Sequence, residues 1–308
     1  MADVSTSRAR RGSLGGQLAR LGFVDVAKAE RLLEDPALAG IVDPFEDLFE
    51  DGALSALGEA PDPDLALLSL VRILEQLIGL QPDDPFAAFD LDGAGERPAA
   101  PSTGEIALLG AHPARLRAVL RSGGPARDRL VAVLGASAAL GDHLARHPEH
   151  WTVLVEDDEE SRTAPAMRAE LLQAVGADPD AAEPVATLPP EAATDALRVA
   201  YRRRLLAVAG LDLTAPDPVV AMPAVGRELA DLAAAALEAA LAIARSELPP
   251  DAAPCRIAVV GMGKCGGREL NYVSDVDVVY VVEPADGAAG PDAERAALAT
   301  GTRLAAGL

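Results

Sequence analysis

Two aspartates, Asp275 and Asp277, stand at the head of the otherwise apolar run VDVVYVV (276–282). If that run is a strand, alternation puts Asp275, Asp277, Val279 and Val281 on one face and Val276, Val278, Tyr280 and Val282 on the other. The Cα atoms of the two acids would then lie roughly 6.5 Å apart, a spacing that lets both carboxylates converge on one Mg²⁺ or hold a metal pair. Like charges beside apolar surface repel each other and resist burial unless a cation neutralises them, so the pattern suggests a strand end built to hold a metal. Spacing alone also accommodates a plainer arrangement, with Ser274 and Asp275 in a turn and Asp277 facing solvent.

Upstream, Gly261, Gly263 and Gly266 match G-x-G-x-x-G after the candidate strand CRIAVVGMG (255–263). A dinucleotide-binding unit would need a long helix next and an acid about 20 residues on, at the end of the following strand. Here roughly one helical turn intervenes, and the acids sit at the start of the strand. A Walker-type loop fails as well, because Lys264 is followed by Cys265 and not by Ser or Thr. What fits is a glycine turn, a short helical piece at REL (268–270), then D-x-D on the strand VDVVYVVE (276–283). Backbone amides and Lys264 would approach a nucleotide phosphate chain while the aspartates position the metal that bridges it, as in a nucleotidyltransferase. Lys264 is one of only two lysines, with Lys28, among 27 Lys and Arg. A compact ammonium and a forked guanidinium act differently at a phosphate.

The elements that must carry this site are mostly helices. The segment 62–79 places Leu67, Leu70, Leu74, Leu77 and Ile78 on one helical face, and 81–102 reads as a long surface loop. A helix is expected over 126–151 with Leu130, Leu134 and Leu144 inward, stopping near Pro148. EDDEES (156–161) reads as a solvated loop or helix start. The Pro- and Ala-rich stretch 176–194 reads as a linker. Thr194 is expected to cap a helix over 195–213, and 226–248 forms a long helix with Leu229, Leu232, Ala236 and Ile243 along one stripe, ended by Pro249 and Pro250. These patterns divide the chain into an N-terminal helical region (1–180), a helical part leading into the catalytic module (181–250) and a small α/β part (251–308). The predicted fold class is mainly α with a small α/β part.

Composition agrees. The 308 residues are half apolar but only 3% aromatic, which favours helices packed through small side chains. A net charge of −21 argues against a nucleic-acid partner, since phosphate capture requires clustered Lys and Arg. Two cysteines, Cys255 and Cys265, build no disulfide framework, and no apolar run reaches membrane-spanning length. The expectation is a soluble cytoplasmic protein without a membrane partner.

The stretch VVGMGKCGGRELNYVSDVDVVYVV (259–282) resembles the signature of the glutamine synthetase adenylyltransferase family, bifunctional enzymes that attach AMP to a tyrosine of glutamine synthetase and remove it. The segments 135–151 and 201–214 resemble that family's N-terminal helical segments, so the likeness runs from about residue 105 onward. It implies the start of a polymerase-beta-like nucleotidyltransferase domain behind an N-terminal helical region. The family carries two such modules in tandem, and this chain is similar to the start of the first, which removes AMP by phosphorolysis and releases ADP; the second uses ATP. By resemblance, Asp275 and Asp277 are the catalytic metal ligands for Mg²⁺. Gly263, Lys264, Gly266 and Gly267 form the phosphate-facing turn, supported by Ser274. Arg268, Glu269 and Asn271 match the signature in mainly structural roles. The implied partners are glutamine synthetase and a nitrogen-signalling regulatory protein. Such domains complete the metal site with a third carboxylate on a later strand, which is expected beyond 299–308, so the core is expected to be truncated.

Other features have bland readings. His143, His147 and His150 fit a surface helix end, Arg202 to Arg204 a solvated helix face, and Trp151 and Tyr201 core or interface anchors. Cys265 beside Lys264 is at most a weak candidate for a reactive thiol. A non-catalytic docking module for glutamine synthetase or a regulator is the alternative function, and a dinucleotide oxidoreductase is more distant.

Overall fold

The computed structural model describes residues 14–42, 52–79, 112–155, 159–285 and 287–308. The loop expected over 81–102, and the first half of the acidic stretch 156–161, lie outside the described residues; Glu160 and Ser161 stand in a 3₁₀ turn over Glu160–Arg162. The chain divides into two compact units, the first running to Asp157 and including Ala209–Thr214, the second comprising Asp158–Val208 and Ala215–Leu308.

Among the described residues, the regular elements of the first unit are all helical. Its described elements are α1 (14–20), α2 (Val26–Leu33), a short 3₁₀ turn (Pro36–Leu38), α3 (Ala53–Gly58), α4 (Pro63–Gly79), α5 (Pro113–Ser122), α6 (Pro125–Ala136) and α7 (Ala138–Arg146), with a 3₁₀ stretch at Pro148–Leu154. Helix α4 is the centre: Leu67, Leu70, Ile73 and Leu74 are fully buried, and α6, α7 and the 3₁₀ stretch pack on it. Ile78, expected on the apolar stripe, is instead 39% exposed near the end of the helix. Small residues allow close helix approach. A Cβ on Gly135 would lie 2.7 Å from Ala60 Cβ, and one on Gly141 would lie 2.8 Å from Ser69 Oγ. The single helix expected over 126–151 is two helices and a 3₁₀ stretch. Ser137 adopts extended backbone (φ −144°, ψ 107°), ends α6, and accepts a hydrogen bond from Leu140 N to start α7. Trp151 is sealed in this core with the Arg115 guanidinium 5.4 Å from its ring.

In the second unit α8 (Ala164–Ala174) packs along α10 (Pro218–Ser246), and α9 (Pro190–Leu213) contributes its residues to Val208. Their core joins Leu171, Leu172 and Leu232 to Ala193, Ala235, Ala239 and Ala242, with Tyr201 packed against it, the small-residue packing that the composition suggests. Helix α9 begins at Pro190, earlier than expected, and Thr194 is inside it: its hydroxyl donates to Pro190 O and caps nothing. Helix α10 begins at Pro218, where the Asp217 carboxylate accepts from Val219 N and Val220 N.

The stretch 176–194 does not separate domains. Ala177 and Ala186 are buried in the core just described, and Ala186 N donates to Ala242 O at 2.9 Å. Arg168 and Arg245 donate to Pro179 O and Pro184 O, at 2.7 and 3.1 Å. The irregular backbone is thus bonded down as a strap, and the boundary expected at 180/181 falls inside the second unit.

The small α/β part closes this unit. Strands β1 (Cys255–Gly261) and β2 (Val278–Pro284) pair antiparallel, from Cys255↔Pro284 to Gly261↔Val278, with the one-turn helix α11 (Gly263–Gly266) between them and α12 (Pro291–Ala306) after them. One face, carrying Cys255 and Ile257, is covered by Leu241 and Ala244 of α10 and Leu304 of α12. Gly301 of α12 lets that helix reach Val282. The other face, carrying Val260, Val279 and Val281, is exposed at 44 to 53%. The architecture is mainly α with a small α/β part.

Candidate functional site

The site is built where β1 ends. Gly263 takes a left-handed conformation (φ 50°) that a side chain would strain, so the strand turns abruptly into α11. Gly266 then comes so close to Gly261 O that a Cβ would collide with it, which seats the turn on the end of β1. Gly267 needs no special backbone (φ −75°). Hydrogen bonds from Gly266 N to Met262 O, Gly267 N to Gly263 O, Arg268 N to Cys265 O and Glu269 N to Lys264 O close the turn on itself. These four amides are therefore engaged internally, and the later glycines of the motif serve close packing. Amide contacts to a phosphate would fall to the residues before them. Lys264 projects from the exposed side of the turn, while Cys265 on the other side is buried with Leu270 against Leu229, Ala230 and Ala233 of α10.

Strand β2 starts at Val278, two residues later than expected, so Asp275 and Asp277 precede the regular strand. The ladder is carried one step further by Met262 N, which donates to Asp277 O at 2.8 Å. That bond fixes Asp277 beside the glycine turn. Its Oδ2 lies 3.1 Å from where a Cβ on Gly263 would stand, so the missing side chain of Gly263 makes room for this carboxylate. Both aspartates are exposed, and Ser274 between the turn and the acids is half-buried. The structure thus brings Gly263 and Asp277 together, while Asp275 two residues earlier is held by no strand pairing.

Among the described residues, no group of three or more His, Cys, Asp or Glu side chains is arranged to hold a metal ion. Two exposed carboxylates are still a donor set suited to Mg²⁺, which keeps several waters and takes one or two carboxylates together with substrate phosphates.

Behind the turn lies a charged network absent from the sequence reading. Arg268 donates to Asp231 of α10 at 2.7 Å. Glu228, one helical turn before Asp231, is pushed up from the usual carboxylate value by burial, against the attraction of Arg162 and Arg204. Arg203 and Arg204 both pair with Glu170 of α8, and the Arg204 side chain is only 12% exposed, so the second half of the Arg202–Arg204 run is an inter-helix clamp and not a solvated face. Nothing in the sequence signals Asp231, whose partner is 37 residues away.

The remaining candidates fall elsewhere. In the first unit His143 is buried, contrary to the expected surface position, with its Nε2 3.0 Å from Nδ1 of His150 and its ring centroid 5.0 Å from that of His147. The Cys265 thiol is pushed up by burial, the opposite of activation by Lys264. Cys255 and Cys265 are both free thiols.

Comparison with known proteins bears on the whole chain. The sequence model of the glutamate-ammonia ligase adenylyltransferase family matches residues 127–308. The bifunctional glutamine synthetase adenylyltransferase/adenylyl-removing enzyme of Streptomyces avermitilis is 44% identical over 97% of this chain, and that of Streptomyces coelicolor 44% over 96%. The Mycobacterium avium enzyme is 40% identical over 92%. In each case the chain spans 24% of the relative's length. No solved structure matches. The family match covers the α8–α10 core, the glycine turn, both aspartates and α12, and the chain belongs to the glutamate-ammonia ligase adenylyltransferase family.

Proposed function

We propose that this chain forms the helical lead-in and the first part of a nucleotidyltransferase centre in a bifunctional enzyme that adenylylates and deadenylylates a tyrosine of glutamine synthetase. The observation that carries the reading is the seating of Asp277 in the space left by Gly263, beside exposed Lys264, within a segment that matches the family. The centre belongs to the deadenylylating module, with ADP as product; ATP serves the enzyme's opposite reaction.

In this reaction an oxygen of inorganic phosphate attacks the AMP phosphorus, the phosphorus–tyrosyl oxygen bond breaks in line, and the tyrosyl oxygen leaves and takes up a proton. The products are ADP and unmodified tyrosine. Asp275 and Asp277 would hold Mg²⁺, which when bound offsets charge on the phosphoryl oxygens. Lys264 supplies a compact positive charge to the same oxygens, and the rigid turn keeps it oriented before substrate arrives. Gly263 leaves room for the acid, Gly266 and Gly267 give the turn its tight closure, and Ser274 supports the approach to Asp275. A nitrogen-signalling regulatory protein is the further partner, acting with glutamine synthetase in the cytoplasm. Among the described residues no helix is long and apolar enough to cross a membrane, and the two cysteines are unbridged.

The test is phosphate-dependent release of ADP from adenylylated glutamine synthetase by the intact enzyme. Asp275→Ala and Asp277→Ala should each lower the rate by roughly 10²-fold or more, the scale of losing one preorganised electrostatic contact. Wild-type turnover that persists in the double variant would eliminate the reading, and so would turnover indifferent to a chelator of divalent cations.

A further inference from the structure

Arg268 is the only non-glycine residue with a left-handed backbone (φ 57°) among the described residues. It occupies the position after the helical turn that most often carries glycine. Arg268 N donates to Cys265 O and Glu269 N to Lys264 O, the paired closure that ends a helix through one left-handed residue. A glycine there would adopt this backbone without strain, and the sequence already places two glycines immediately before it. An arginine at this point therefore costs backbone energy that its side chain must offset.

The side chain reaches Asp231 of α10. Its Nη2 is 2.7 Å from Asp231 Oδ2, and the Asp231 side chain is only 16% exposed, so the carboxylate is a largely enclosed anchor on a long, rigid helix. The backbone beside it is also pressed to α10: a Cβ on Gly226 would lie 3.3 Å from Glu269 Cα, and Leu270 and Cys265 pack against Leu229, Ala230 and Ala233. Lys264 is linked to this anchorage directly, because its carbonyl receives the Glu269 amide at 2.8 Å. Movement of residues 268–269 away from α10 would pull on the backbone of Lys264.

We propose that Asp231 and Arg268 are positioning residues that hold the Lys264 turn on α10, and so set where the Lys264 ammonium meets the phosphate. This rests on the phosphorolytic reading above. Neither residue is assigned contact with the reacting atoms; Arg268 acts through the turn and Asp231 acts through Arg268.

The experiment uses the intact enzyme with inorganic phosphate and adenylylated glutamine synthetase. Arg268→Gly keeps the left-handed backbone and removes only the tie, so its thermal midpoint should match wild type while KM for phosphate rises about tenfold, the scale of a small misplacement of a reacting group. Asp231→Asn should give the same rise. The double variant should be no worse than either single one, as expected for two members of one contact. Exchanging the charges, Asp231→Arg with Arg268→Asp, should recover most of the loss, since aspartate tolerates left-handed backbone. Alkylation of buried Cys265 should be faster in Arg268→Gly than in wild type, a readout of the turn that needs no turnover. Wild-type KM in Arg268→Gly, losses that multiply in the double variant, failure of the charge exchange to recover activity, or unchanged Cys265 alkylation would each overturn the proposal. Absence of phosphorolysis in the wild-type enzyme would overturn the functional reading alone, leaving alkylation to decide whether the tie holds the turn.

Discussion

In the first unit the central helix α4 has Leu67, Leu70, Ile73 and Leu74 at zero exposure, whereas in the second unit one face of the two-stranded sheet leaves three valines, Val260, Val279 and Val281, about half exposed. Both regions are rich in branched aliphatic residues. What differs is what lies opposite them: α4 is enclosed by α6, α7 and a 3₁₀ stretch, while among the described residues the sheet has α10 and α12 packed on one face only. Apolar sequence thus measures the capacity to bury surface and not the burial achieved. The candidate site lies on the less enclosed region, where Lys264, Asp275 and Asp277 are all exposed.

That contrast can be broken by truncating one aliphatic side chain in each region. Leu70→Ala should destabilise the first unit by about 2–5 kcal/mol, the cost of a cavity in an enclosed core. Val279→Ala should change stability by no more than about 0.5 kcal/mol, as at an exposed position. Urea unfolding of the two variants measures both, and equal losses would show that the outer face of the sheet is covered in the folded protein. Next in size is Gly266→Ala. Its methyl group meets Gly261 O, so the turn must shift off β1 at a cost of about 1–3 kcal/mol, with the damage confined to hydrogen exchange of the turn and the adjoining strand ends. A change spread through α4 would contradict the separation of the two regions.

The effect expected from Glu228→Gln depends on pH. Burial raises the Glu228 carboxyl above its usual 4.5 in the folded chain. The folded state therefore disfavours the charged form, a penalty fully present above the folded value and gone below the unfolded one. Glu228→Gln should accordingly raise the unfolding midpoint at neutral pH, with the gain shrinking to nothing as pH falls below the ordinary carboxylate range. A gain that grows on acidification would reverse the sign and refute the assignment.

Much of this was legible in the residues, and the limits are physical. The 3.6-residue spacing of leucines located α4 and α10, and the β-branched run located β2, because local periodicity survives packing. Glycine spacing identified the turn, but it did not separate Gly263, which needs its backbone angle, from Gly266, which needs its missing side chain. The ends of elements were harder to read. Ser137 breaks a continuous helical pattern because its hydroxyl competes for the backbone, and Pro190 starts α9 four residues before the expected cap at Thr194. The Pro-rich strap over 176–189 looked like a linker because its anchors, Ala242 O, Arg168 and Arg245, are distant in sequence. The same distance hid Asp231, and burial of His143 was invisible for want of any neighbouring pattern.

Trp151 is the sole tryptophan of the chain and is shut inside the first unit beneath Arg115. Its emission is therefore a built-in optical probe of that unit by itself: a colour shift on denaturation will time the melting of the α4 core and stay silent about the glycine turn. Paired with thiol chemistry at Cys265, it lets two halves of one polypeptide be followed separately in a single sample, without attaching any dye.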